Sequence, residues 1–301
     1  MQASATPTRS IGMIGIGLMG HGIASNLLKH GHRLAVLEHP GNQPLDDLKA
    51  SGATVHARVA DLVAASEVVI LCVTGSPQVE AVLLGDSQGA GGVIAALRPG
   101  TVVIDCSTAI PASTERMAQA VQAAGGRFLD APMTRTPKEA ALGKLNLLVG
   151  GDAATFEEMR PLLACFAENI FHAGAVGAGH RMKLLHNYVS LGFVALLSEA
   201  AAAAQRSGIA PEVFVDILGK GGGGGVALER VKPYLLSGDV SSLRFAMSNA
   251  QKDLGYYRTM AGDLDAADAI AEAVLRTYDR GVVEAGAQAG VLELVAVLAK
   301  S

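Results

Sequence analysis

Two kinds of hydrophobic pattern divide this chain. From residue 9 to about residue 171, short apolar runs recur between longer stretches whose apolar positions fall three and four apart. The short runs, at 11–14, 33–37, 68–73, 102–105, 127–130, 145–150 and 169–172, read as strands. Val68-Val69-Ile70-Leu71-Cys72-Val73 has no polar alternation, which suits a strand covered on both faces of a parallel sheet. Helical spacing fills the intervals at 23–28, 77–84, 112–124 and 153–165, while the glycine-rich 89–92 reads as a turn. Strand and helix alternating in this way predict a doubly wound α/β domain with a mostly parallel sheet. After Gly179 the short runs stop, and 180–206 is one long helical pattern closed by Ser207-Gly208. Helical patterns follow at 211–218, 227–236, 248–261 and 266–285, then a short terminal one. The expected organisation is a disordered tail over 1–8, an α/β domain over 9–175, and an all-α domain over 176–301 joined to it by the long helix.

Composition narrows the partners. At 301 residues the chain is long enough for two domains. Half of it is hydrophobic but only 4% aromatic, so the core is expected to be Ala, Val, Leu and Ile in closely packed helices. A net charge of −4 gives no broad basic surface, which argues against nucleic acid. Cys72, Cys106 and Cys165 are odd in number and read as reduced thiols, so a cytoplasmic setting is expected. The first ten residues lack the apolar core of a secretory signal. The longer apolar segments are read as broken by charges and glycines short of the ~20 residues a membrane span requires, so no membrane partner is expected.

The turn Gly15-Ile16-Gly17-Leu18-Met19-Gly20 lies between the first apolar run and the first helical pattern. In a strand–turn–helix unit of this spacing, the first glycine makes the turn, the second admits a pyrophosphate and the third allows the helix to pack on the strand. The second strand runs into Glu38, where a carboxylate can accept hydrogen bonds from an adenosine ribose; a solvated loop carboxylate is the alternative. Glu38 would repel a 2′-phosphate, and His39-Pro40 rather than an arginine follows it, so NAD is expected over NADP.

Lys183 and Asn187 are four apart on the long helix and share a face. A partly desolvated lysine can move a proton, and an adjacent amide can hold a substrate oxygen; an exposed surface pair is the competing reading. The small-residue stretch 174–179 before them permits close approach of a cofactor or of another domain. Thr134-Arg135-Thr136 follows a strand end, where ligands of open α/β sheets gather, and two hydroxyls beside a guanidinium suit a carboxylate, sulfonate or phosphate. An exposed loop arginine is the alternative. Asp105-Cys106-Ser107-Thr108 ends another strand, with hydroxyls that either meet the cofactor or cap the next helix. Five glycines at 221–225 form either a mobile loop near a site or a plain connector. The eight histidines show no metal-ligand spacing, and no metal is expected.

Taken together, these motifs resemble the β-hydroxyacid dehydrogenase family, which includes 3-hydroxyisobutyrate dehydrogenase. The resemblance spans nearly the whole chain. It is carried by the Gly15–Gly20 turn with Asn26, by Asp105-Cys106-Ser107-Thr108, by Asp130-Ala131-Pro132, by Gly177-Ala178-Gly179 with Lys183 and Asn187, and by Lys252-Asp253-Leu254. It implies a Rossmann domain, a long inter-domain helix, an all-α domain and a homodimer or homotetramer. It further implies that Lys183 is the catalytic acid/base, that Asn187 orients the substrate, and that Val73, Thr74, Thr108 and Lys252 line the cofactor site. Thr134-Arg135-Thr136 departs from the Ser-Gly-Gly usual there and is similar to the branch of 3-sulfolactaldehyde reductase and 4-hydroxybutyrate dehydrogenases. His186-Asn187-Tyr188, with Ser190, is similar to that branch's Asn-Asn-Tyr-x-Ser run, with His186 where an asparagine is usual. The implied substrate is a small anionic aldehyde or hydroxyacid such as 3-sulfolactaldehyde or succinic semialdehyde, bound by Thr134, Arg135, Thr136, His186 and Asn187. The alternatives are another β-hydroxyacid dehydrogenase, an imine reductase and a non-catalytic dinucleotide-binding module.

Overall fold

The computed structural model describes residues 7–85 and 91–300. The chain forms two compact units, 1–183 and 184–301. The first opens with β1 (Ser10–Ile14), α1 (Leu18–Lys29), β2 (Arg33–Leu37), α2 (Asp46–Ala50), β3 (Thr54–His56), α3 (Val59–Ala64), β4 (Val68–Leu71) and α4 (Ser76–Leu84). It continues through α5 (Val93–Ala96), β5 (Val102–Asp105), α6 (Pro111–Ala123), β6 (Arg127–Asp130), β7 (Met133–Thr134), α7 (Pro137–Ala141), β8 (Leu145–Gly151), α8 (Ala153–Leu163) and β9 (Ala167–Gly174). The sheet runs β3-β2-β1-β4-β5-β6-β8-β7, with β9 also on β8. Strands β1 to β6 are parallel; β8 is antiparallel to β6 and β7, and β9 is parallel to β8. This is the doubly wound, mostly parallel Rossmann-like arrangement, and its order reverses at β1, between β2 and β4. Such a reversal opens a crevice beyond the carboxyl ends of the two central strands.

Alternation along the strands splits the core into two layers. Ile11, Met13, Val68 and Ile70 face α1 and α8 through Ile23, Leu27 and Leu163, whereas Ile14, Val69, Leu71 and Val103 meet Leu62, Val79, Val121 and Phe128 on the other face. Buried runs of this kind are why the central strands are plain in the sequence. The short elements α2, α3, α5, α7, β3 and β7 carry too few residues for a periodic signal. Of the expected glycine turn, Gly89 and Ala90 lie outside the described residues, as do residues 1–6 of the expected tail.

Helix α9 (Ala178–Arg206) carries the division between the units. The second unit adds α10 (Pro211–Lys220), α11 (Val226–Ser237), α12 (Met247–Asp263), α13 (Ala269–Ala285), a 3₁₀ turn (Val291–Glu293) and α14 (Leu294–Ala299). The five glycines stand between α10 and α11 as their connector. Tyr278 is fully buried and donates its hydroxyl to the Leu191 carbonyl at 3.0 Å. One expectation needs correction: α9 is long and apolar enough, by length and composition, to cross a membrane. Half of its apolar stretch is buried within the structure, where Leu191, Ala195, Val194 and Leu197 pack into the helical core. Its apolarity is that of a core helix.

Candidate active site

The glycine turn does three different things. Gly15 has φ +96, and a Cβ there would lie 2.3 Å from the Cys72 carbonyl oxygen. A Cβ on Gly20 would lie 2.0 Å from the Gly15 oxygen, so the start of α1 is pressed onto the turn. Gly17 differs: its Cβ would meet nothing within 4 Å, and its φ of −77 is open to any residue. Folding therefore needs Gly15 and Gly20, while the open space over Gly17 fits a group that must approach the backbone. No side chain caps α1, so its first N–H groups are not engaged by a cap and suit a pyrophosphate. Ile16, Leu18 and Met19 complete the turn, with Leu18 exposed. Gly17→Ala is expected to leave the Tm unchanged while affinity for a reduced nicotinamide dinucleotide falls about tenfold or more in a fluorescence titration, whereas Gly20→Ala lowers the Tm. Equal Tm losses for both would remove the distinction.

Glu38 is exposed at the end of β2. Asn42, which sequence reasoning passed over, fixes that end to the turn: its Nδ2 donates to the Leu37 carbonyl at 2.9 Å and its Oδ1 accepts from the Ile16 N–H at 3.2 Å. Only the Pro40-Gly41-Asn42 turn composition could have pointed to it.

Across the central strands, the Val73 N–H donates to Ser107 Oγ at 3.0 Å, joining the loops after β4 and β5. Ser107 is buried, and its N–H donates to Asp105 Oδ1 at 2.9 Å. Helix α6 begins at Pro111 with Ile110 as N-cap, so neither Ser107 nor Thr108 caps it. Thr108 is half-buried and Thr74 exposed. Desolvation, with Asp105 alongside, pushes the Cys72 thiol up to about 12, and burial raises Cys106 as well, so neither is an available thiolate. Burial also raises Asp105, whose Oδ2 has no hydrogen-bond partner.

The start of α9 is built around Asp130. Gly177, the residue before the helix, has φ +87 and no side chain to cap it. Asp130 reaches in from β6 instead, accepting the Gly177 N–H through Oδ1 and the His180 N–H through Oδ2, both at 2.8 Å. A Cβ on Gly179 would sit 2.2 Å from the Leu148 carbonyl oxygen and 2.8 Å from Asp130 Oδ2. The small residues thus admit the sheet's own edge, which the sequence left open between a cofactor and a second domain. Lys183 follows one turn after His180 and is half-buried.

Thr134, Arg135 and Thr136 do not form one open anion site. Thr134 is buried and accepts from Asn146 Nδ2 at 3.1 Å. Thr136 starts α7 as a capping box: its hydroxyl donates to Glu139 Oε2 at 2.6 Å, and its N–H donates to the same oxygen at 3.0 Å. Arg135, at φ +81, donates from Nη1 to Glu168 Oε2 and to the Lys144 carbonyl, each at 2.5 Å. That guanidinium holds the exposed Glu168 carboxyl below its usual range.

In the second unit, Asn187 is buried, and its Nδ2 donates to Asp253 Oδ2 at 2.6 Å. His186 Nδ1 is 3.1 Å from Asn187 Oδ1, so the ring nitrogen is the donor if the amide oxygen accepts. Lys252 Nζ stands 3.2 Å from Asp253 Oδ1, close enough for an ion pair but off the line of a hydrogen bond, and 5.4 Å from the Tyr256 ring. Asp253 fixes which way the Asn187 amide points. The sequence offered it only as part of Lys252-Asp253-Leu254.

Comparison with known proteins decides the family. Residues 10–174 match the NAD binding domain of 6-phosphogluconate dehydrogenase, and residues 177–298 match the NAD-binding domain of NADP-dependent 3-hydroxyisobutyrate dehydrogenase. The chain belongs to the 3-hydroxyisobutyrate dehydrogenase-like family. Members of this family are NAD(P)-dependent oxidoreductases acting on CH–OH groups, and this chain is one of them. It is 36% identical to the NAD-dependent L-serine dehydrogenase of Pseudomonas aeruginosa, over 75% of this chain and 74% of that one. It is 34% identical to the 3-sulfolactaldehyde reductase of Escherichia coli, over 85% and 84%. The solved Mycobacterium tuberculosis 3-hydroxyisobutyrate dehydrogenase with L-serine superposes with a TM-score of 0.87 at 25% identity, covering 97% of this chain and 99% of that one. The glycine turn, with its uncapped helix start and open space over Gly17, fits the NAD(P) dinucleotide of this 3-hydroxyisobutyrate dehydrogenase-like family.

Proposed function

We propose that this chain transfers a hydride reversibly between NAD(H) and a small aldehyde or alcohol bearing an anionic group, with Lys183 as general acid/base. The observation that carries this reading is the fixed Asn187 amide, one helical turn beyond Lys183. One Nδ2 hydrogen is used by Asp253, which leaves the second to hold a substrate oxygen within reach of a proton carried on Lys183 Nζ. Bound NADH supplies the hydride. Lys183 delivers a proton to the carbonyl oxygen during reduction and takes it back in oxidation. Thr74, Thr108 and Lys252 are assigned to the cofactor, with the turn residues and Val73.

NAD is favoured because the exposed Glu38 carboxylate would meet the 2′-phosphate of NADP. Kinetics with both cofactors are expected to give a higher kcat/KM with NADH, and Glu38→Ala to narrow that preference. A clear preference for NADPH in the unaltered protein overturns the assignment.

Arg135 is proposed as the anion anchor, the substrate anion replacing Glu168 on the guanidinium. 3-Sulfolactaldehyde, the compound in one relative's name, carries a suitable sulfonate. NADH oxidation is expected with 3-sulfolactaldehyde and succinic semialdehyde, and Arg135→Ala is expected to raise KM with little change in kcat. The Arg135–Glu168 ion pair also favours a second reading, in which a β-hydroxyacid such as 3-hydroxyisobutyrate or L-serine is taken without Arg135. Under that reading Arg135→Ala leaves KM unchanged. Reduction of a neutral cyclic imine, with both acids inert, would contradict the two together. A homodimer or homotetramer is also proposed, because Met182, Leu185, Val189, Phe193 and Leu196 leave an exposed apolar stripe along α9.

A further inference from the structure

We propose that His180 is a positioning residue, which locks the first turn of α9 to the loops after β4 and β5 and thereby sets where Lys183 stands. The proposal rests on Lys183 being the acid/base.

His180 is fully buried, in a place where an apolar side chain would be the ordinary choice. Its backbone N–H and both ring nitrogens are directed at other elements. Its backbone N–H is bound by Asp130 from β6. Its Nε2 lies 3.1 Å from the Ser107 carbonyl, which can only accept, so Nε2 carries a hydrogen. Its Nδ1 lies 2.8 Å from Thr114 Oγ1 on α6. The charged groups facing the ring are Asp105 Oδ2 from β5 and Asp130 Oδ2 from β6, each 3.9 Å from a ring nitrogen. Arg181 on the next position of α9 pairs with Glu115 of α6 at 2.5 Å, a second tie between the same helices.

The chain of bonds passes from the residue assigned to the cofactor toward the residue assigned to the proton. Val73 N–H donates to Ser107 Oγ, the Ser107 carbonyl accepts from His180 Nε2, and Lys183 leaves the helix three residues later. Removing the middle bond lets the start of α9 and the Ser107 loop settle independently. A displacement of ~1 Å between reacting groups is enough to cost ~10²-fold in rate, while leaving distant binding contacts in place.

The test compares His180→Leu, His180→Gln and, as a stability control, Leu163→Ala, a core substitution on α8 in the sheet's other layer. His180→Leu is expected to bind NADH as the unaltered protein does and to keep its aldehyde KM, with kcat lower by about 10- to 100-fold. His180→Gln, whose amide can still donate to the Ser107 carbonyl, restores most of that loss. Leu163→Ala lowers the Tm without touching kcat. Unaltered kcat in folded His180→Leu overturns the proposal, as does a Leu163→Ala protein that loses kcat in proportion to its Tm. If leucine is not tolerated, His180→Phe keeps a planar ring without the Nε2 donor to the Ser107 carbonyl and must show the same fall in kcat at constant KM, or the lock fails. Loss of kcat in His180→Leu with full activity in Lys183→Ala would refute the acid/base assignment and leave the lock standing.

Discussion

Asp130→Ala is expected to lower the Tm by about 10 °C, corresponding to roughly 3–5 kcal/mol. The carboxylate is fully buried and is the acceptor for two buried N–H groups at the start of α9. Alanine leaves both donors unsatisfied, at ~1–3 kcal/mol each. It also removes an anion from the positive end of a 29-residue helix. Against a typical total stability of ~5–15 kcal/mol, this is a large share. Asp130→Asn keeps one acceptor and places an N–H donor opposite another, so an intermediate loss is expected. Thermal unfolding followed by circular dichroism reads both; a shift of only a degree or two would mean that water replaces the cap.

Lys183→Ala is expected to lower kcat by about 10³-fold, within the ~10²–10⁴-fold range of general acid/base catalysis. NADH affinity should stay close to that of the unaltered protein, because the contacts assigned to the dinucleotide come from the glycine turn, Glu38 and the loops at Val73 and Thr108. KM for the aldehyde should change little, since the lysine is assigned to proton transfer and Asn187 to holding the oxygen. A loss that appears instead in NADH affinity would assign Lys183 to cofactor binding. Single-turnover kinetics with preloaded NADH separate the two cases.

The sheet and its glycine turn were legible in the sequence because buried parallel strands leave continuous apolar runs, and Gly15 and Gly20 serve a positive φ and a contact within the turn itself. Lys183 and Asn187 were legible as a pair through helical spacing. Thr136 carried a readable signal of another kind: Thr136-Pro137-Lys138-Glu139 is a capping box with proline at the first helical position, and its hydroxyl serves the fold rather than an anion. The role of Asp130 was not legible, because the first N–H it accepts, that of Gly177, lies 47 residues later and nothing local marks it. For the same reason the stretch ending at Gly179 was left open between a cofactor and another domain, when Gly179 admits Asp130 and the Leu148 carbonyl. His180 and Asp253 are buried polar residues whose partners come from distant segments, and periodicity carries no information about such partners. The apolar count along α9 was also misjudged, since its few charges are spaced widely enough to leave a long apolar stretch, half of which is buried.

The account depends on a proton passing from the Lys183 side chain to the substrate oxygen. Adding small primary amines to Lys183→Ala while following NADH consumption with the aldehyde tests this most directly. The account predicts negligible turnover without amine, a rate that rises and then saturates with amine concentration, and an unaltered protein indifferent to the addition. Turnover of Lys183→Ala at the unaltered rate with no amine present would contradict it.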